Sequence, residues 1–159
     1  MCSSDLRPAS LPEALTHHPG MWRGRDLVSR ARTGTGTGFP ALDRELPGGG
    51  WPGGCLTEIF VAHEGIGELR LLGPALAALT RTGRHLAWIA PPYLPYAPAL
   101  AAAGIAMEKM LIVRTAQARD ALWAAEQGLR SEACGAVLLW TAVHETAALK
   151  RLQLAAERT

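Results

Sequence analysis

The feature that most constrains this chain is a change of hydrophobic period, repeated four times between residues 56 and 156. Short, nearly continuous apolar runs alternate with longer stretches whose apolar residues recur every three or four positions. The runs are Leu56–Val61, His85–Ala90, Met110–Val113 and Ala136–Trp140, each of strand length. One helix-period stretch covers about 67–82, with Leu69, Leu72, Leu76 and Leu79 on a single stripe. Another covers about 116–130, with Ala118, Ala121, Leu122, Ala125 and Leu129. Tyr96–Ala103 and a segment from Glu145 to Ala156 complete the set, and Gly83 and Gly104 stand where a glycine releases a helix. Runs that do not alternate are buried on both faces. The pattern therefore predicts an α/β fold, a parallel sheet flanked by helices and joined by right-handed crossovers.

The stretch before residue 56 has no such rhythm. Residues 1–33 read as an N-terminal arm rich in Pro, Ser and His, with a short helix from about Met21 to Arg32. Within it Arg23, Arg25, Arg30 and Arg32 face only Asp26, a candidate contact for phosphate or an acidic partner, set against the blander reading of a solvated helix face. The first residues, Met1–Leu6, fit nothing that follows and are expected to be non-native. The Gly-Thr repeat ending at Gly38 is a poor phosphate cradle, because no strand precedes it and its spacing is not G-x-G-x-x-G. A turn-helix over Pro40–Leu46 and a dense turn over Pro47–Gly54 come next, with Trp51, hard to bury in such a turn, a candidate contact for a partner, DNA or a missing segment. The chain stops where a further strand is expected, so 34–159 reads as one α/β domain cut short at its C-terminus.

Composition removes whole classes. With 16 basic and 14 acidic residues the net charge is +2, too small for a protein that coats nucleic acid. Fourteen of the basic residues are Arg, a coding bias that weakens any functional reading of Arg abundance. Cys2, Cys55 and Cys134 are odd in number and far apart, which excludes a disulfide framework and fits a cytoplasmic protein. No apolar run is long enough to span a membrane. His63-Glu64 and His144-Glu145 each begin like H-E-x-x-H, but Gly67 and Ala148 replace the second histidine, so no zinc site is expected. Cys55 and Cys134 are expected as small core residues, and Trp88 and Trp140 as packing residues.

Thr37-Gly38, Leu42-Asp43, Gly49-Gly50-Trp51-Pro52 and Glu58-Ile59, at their spacing, resemble the opening of a RecA-type recombinase core. The resemblance implies a P-loop-type fold in which the first strand feeds a phosphate loop G-x-x-x-x-G-K-[ST]. Here that place reads His63, Glu64, Gly65, Ile66, Gly67, Glu68, Leu69, so the lysine is replaced by a carboxylate and the hydroxyl residue by leucine. Exchanging +1 for −1 at about 4 Å reverses an interaction of roughly 4 kcal/mol at an effective dielectric near 20. The Walker B aspartate is replaced by Trp140 or Thr141, and the catalytic glutamate after the second strand by Pro91-Pro92. The resemblance thus implies a RecA-like core with degenerate Walker motifs, no ATPase activity and no cofactor.

Gly65-Ile66-Gly67-Glu68-Leu69-Arg70-Leu71-Leu72 looks like the ImuA family of SOS-mutagenesis proteins. That likeness implies a non-catalytic component of a translesion DNA synthesis complex. Its partners would be an ImuB-like Y-family protein, an error-prone polymerase subunit and the RecA filament. The alternatives are a SulA-type inhibitor acting on the tubulin-like division protein, and an ATPase with an unconventional phosphate loop using Arg70 or Arg84 as its cation.

Overall fold

The computed structural model describes residues 34–141 and 145–158. Successive side chains of a strand point to opposite faces, and in His85–Ile89 (β1) both faces are apolar. Leu86 and Trp88 go one way, to meet Leu76 and Ala77 of Glu68–Arg81 (α2) and Leu100 of Ala97–Ala102 (α3). Ala87 and Ile89 go the other way, to meet Ala121 and Ala125 of Ala118–Arg130 (α4) and Leu152 of Thr146–Ala156 (α5). A strand read as a continuous apolar run is thus the middle layer of a three-layer sandwich.

Met110–Val113 (β2) pairs parallel with β1 on one side, Leu86 opposite Met110 through Ile89 opposite Val113. Cys134–Leu139 (β3) pairs parallel on the other side, Leu86 opposite Ala136 through Ile89 opposite Leu139. The sheet has three strands in the order β2-β1-β3. Trp88 and Trp140 stack at a tilt, centroids 5.5 Å apart, in the packing role expected of them. Among the described residues no helix is long and apolar enough to cross a membrane.

The Thr-Gly…Leu-Asp motif is a local structural device. Thr37 is fully buried, its N–H donates to Asp43 Oδ1 at 2.8 Å, and its Oγ1 accepts the N–H of Phe39 at 3.0 Å. These bonds seat the short helix Pro40–Glu45, which lies outside the sheet layers. Gly38 has φ +84°, and a Cβ there would fall 2.5 Å from Cβ of Pro74 in α2, so only glycine lets this turn lie against the helix.

The fourth expected strand does not form. Leu56–Val61 pairs with no strand, and Leu56, Ile59, Phe60 and Val61 are all exposed. Strand propensity is realised only against a paired neighbour, and this segment has none. The structure is therefore α/β with a three-stranded parallel sheet, and the strand that would have fed a phosphate loop is absent. Cys134 is half-buried and packs against the core as expected, whereas Cys55, also half-buried, lies in the turn before Leu56 and joins neither core cluster. The Arg23–Arg32 cluster and the rest of the 1–33 arm lie outside the described residues.

Candidate partner surface

In a parallel sheet the loops leaving the C-terminal ends of the strands converge on one edge, where α/β proteins carry their sites. β1 leaves the sheet through Ala90, held at φ +50° with its N–H bonded to the carbonyl of Val113. Left-handed backbone in a residue with a Cβ is strained, and here it turns the chain outward before Pro91 and Pro92. Pro91, Pro92, Pro95 and Pro98 then occupy four of eight positions, each with φ preset near −65°. The loop they brace presents Tyr93, Leu94 and Tyr96 at 68%, 77% and 72% exposure. Large apolar side chains held out together by a stiff loop pay little ordering entropy on association, and tyrosine is enriched among residues that anchor interfaces.

The second loop at this edge is 62–67. His63, Glu64, Gly65 and Ile66 are exposed, while Gly67 and Glu68 are partly covered. The Glu68 side chain folds back over its own helix start: Oε1 accepts the N–H of Gly65 at 2.9 Å, and Oε2 that of Gly67 at 3.1 Å. Donation from Gly65, then from its own amide, holds the Glu68 carboxyl below the usual carboxylate range. Two N–H groups that a phosphate loop would offer to an anion are thus already taken by an internal carboxylate. Arg84, one cation considered for phosphate, lies at the opposite edge of the sheet and donates to the carbonyl of Cys134 at 2.8 Å. Arg70 is exposed in the first turn of α2.

A third feature is an open groove of about 470 Å³ between the N-terminal halves of α4 and α5, lined by Arg119, Asp120, Trp123, Glu145 and Arg151. Trp123 is 62% exposed. Below it Glu126, almost fully buried, pairs with Arg130 at 2.6 Å and with Arg151. Trp51 is half-buried; its backbone exchanges hydrogen bonds with Thr35 at 2.7 and 2.8 Å, and its indole N–H is buried without a partner among the described residues. No group of three or more His, Cys, Asp or Glu among the described residues could hold a metal ion.

Tyr93, Leu94, Tyr96 and Trp123 were not among the sequence candidates. The signal for the first three was the proline-punctuated aromatic stretch 91–98, and for Trp123 its position off the apolar stripe of α4.

The family model of the cell division inhibitor SulA matches residues 54–159. The chain belongs to the SulA family. The cell division inhibitor SulA of Edwardsiella piscicida is 34% identical over 103 residues, 62% of this chain and 61% of that protein, so the chain spans about three-fifths of that curated relative. The crystal structure of SulA from Pseudomonas aeruginosa superposes with a TM-score of 0.54 at 29% identity, covering 64% of this chain and 87% of that one.

Membership of the SulA family corrects the likeness to ImuA. Residues 65–72, on which that likeness rested, lie inside the region matched by SulA, as does the Glu58-Ile59 end of the recombinase-like stretch that begins at Thr37. The octet encodes a glycine turn and the first turn of an apolar helix, features any α/β chain can share. The translesion-synthesis role falls with it, as do the ImuB-like protein, the error-prone polymerase subunit and the RecA filament as partners.

Proposed function

We propose that this chain is a SulA-type, SOS-associated inhibitor of bacterial cell division that acts by contact with FtsZ, the tubulin-like division protein. The observation that carries this reading is the proline-braced surface of Tyr93, Leu94 and Tyr96, in a chain of the SulA family. An inhibitor that works by binding needs a preformed apolar surface and no reaction centre. The Glu68 carboxylate seated on the Gly65 and Gly67 N–H groups supports a non-enzymatic role, since an anionic nucleotide would meet a negative charge there.

The test is expression in bacterial cells, together with FtsZ polymerisation measured in vitro. Filamentous cells with an unchanged mutation frequency are expected, and polymerisation should fall as this protein is added. Normal division, with FtsZ assembly unaffected, would overturn the reading. The Tyr93→Ser/Tyr96→Ser variant tests the surface separately. It should stay folded and bind FtsZ at least ~30-fold more weakly, corresponding to about 2 kcal/mol. Undiminished inhibition by that variant would move the contact elsewhere.

A further inference from the structure

The α4–α5 groove is tied to the Tyr93–Tyr96 loop through the ends of the strands. The N–H of Ala90 donates to the carbonyl of Val113 at 2.8 Å, and the N–H of Trp140 to that of Ile89 at 3.1 Å. β2 and β3 therefore both end beside the last residues of β1, from which Tyr93 follows Ala90 by three residues. Arg119, on one lip of the groove, follows Val113 by six residues, and Glu145, on the other lip, follows Trp140 by five. Six residues of chain reach at most about 20 Å. Trp123 lies one turn beyond Arg119 on the same side of α4, about 6 Å further. Loop and groove thus flank one end of the sheet. The loop leads to α3 on the Trp88 face, and the groove opens between the two helices of the Ala87 face.

The loop is too small to hold a protein partner alone. At their exposures, and with roughly 200 Å² for a large side chain, Tyr93, Leu94 and Tyr96 together offer about 400 Å². A stable interface takes about 800 Å² from each partner, a patch about 30 Å across, and such a patch centred on the strand ends reaches the groove. There it gains the Trp123 ring and the stems of Arg119 and Arg151. Trp and Arg, with Tyr, are the residues that most often anchor interfaces. The two arginines are already matched, Arg119 by Asp120 at 3.4 Å and Arg151 by the buried Glu126. What is left to be covered is the exposed indole, so the group that enters the groove is apolar.

We propose that one FtsZ molecule spans this end of the sheet, covering Tyr93, Leu94 and Tyr96 and seating an apolar side chain against Trp123 between α4 and α5. Trp123 is then a second anchor of one continuous interface. The partner is FtsZ only on the SulA-type reading above, and the role of the groove depends on that reading.

The experiment is titration of unassembled FtsZ with the full chain by isothermal calorimetry, giving Kd and stoichiometry, with sedimentation of the chain alone beside it. One FtsZ per chain is expected. Trp123→Ala, at an exposed position, should keep the parent's urea midpoint and raise Kd at least ten-fold. Trp123→Phe, which retains a ring, should recover most of the affinity. An unchanged Kd in Trp123→Ala would overturn the proposal and leave the SulA-type reading standing. Loss of self-association in that variant at unchanged Kd would also overturn it, by assigning the groove to a second copy of this chain. No binding of FtsZ by the unsubstituted protein would overturn the SulA-type reading, and this proposal with it.

Discussion

Trp88 sets two packing effects against each other, and replacing it with phenylalanine measures the balance. The side chain is 1% exposed at the centre of β1, stacked on Trp140, and its indole N–H has no hydrogen-bond partner among the described residues. An unsatisfied buried donor costs about 1–3 kcal/mol. Trp88→Phe removes that donor and leaves a space of about 40 Å³, which at ~24 cal/mol per Å³ costs about 1 kcal/mol. The smaller ring also forgoes about 1 kcal/mol of transfer free energy. The terms nearly cancel, so Trp88→Phe should lie within about 1 kcal/mol of the parent protein. Trp88→Ala removes the whole ring and should lose about 3–5 kcal/mol. Urea unfolding followed by far-UV circular dichroism reads both, the midpoint giving the change in stability when the slope is constant. A Phe variant more than ~2 kcal/mol less stable, at unchanged slope, would show that the indole N–H is hydrogen-bonded and that the orphan-donor argument is wrong.

Other residues give independent checks. Glu132 follows α4 with φ +56° on an exposed turn, and Glu132→Gly should raise stability by about 0.5–1 kcal/mol in the same urea assay. Glu126→Gln weakens a buried carboxylate's pairing with Arg130 and Arg151; because both arginines are more than half exposed, the loss should be about 1–3 kcal/mol, below that of a fully buried pair. Glu68 has its carboxyl pKa depressed in the folded state, so its contribution is complete above the unfolded value of about 4.5 and is lost as pH falls through the lower folded value. Thermal unfolding between pH 6 and pH 2 should therefore show a shallower acid decline in Glu68→Gln than in the parent protein; identical slopes would contradict the assignment.

Much of the architecture was legible because it rests on local periodicity. Leu86–Ile89, Met110–Val113 and Ala136–Leu139 are strands, and the leucine and alanine stripes of α2 and α4 face the sheet as their spacing requires. Leu56–Val61 was misread because a six-residue run with four apolar residues, Leu56, Ile59, Phe60 and Val61, satisfies the pattern whether or not a neighbouring strand accepts its hydrogen bonds. The partner surface was missed for the opposite reason. Pro91–Tyr96 carries no period, and only the outward turn at Ala90 reveals that Tyr93, Leu94 and Tyr96 are left uncovered.

The sequence by itself determined the layer order, because hydrophobic period dictates which elements are buried on one face and which on two. It also determined that the lysine of a phosphate loop is absent, because a missing side chain needs no fold to be noticed. Tertiary structure decided the rest. It showed that Glu68 turns back to fill its own loop, that Arg84 lies at the wrong edge for a phosphate, and that the tyrosines stand free. Such facts depend on where residues distant in the chain come to lie, and pairing, burial and charge contact are properties of that arrangement.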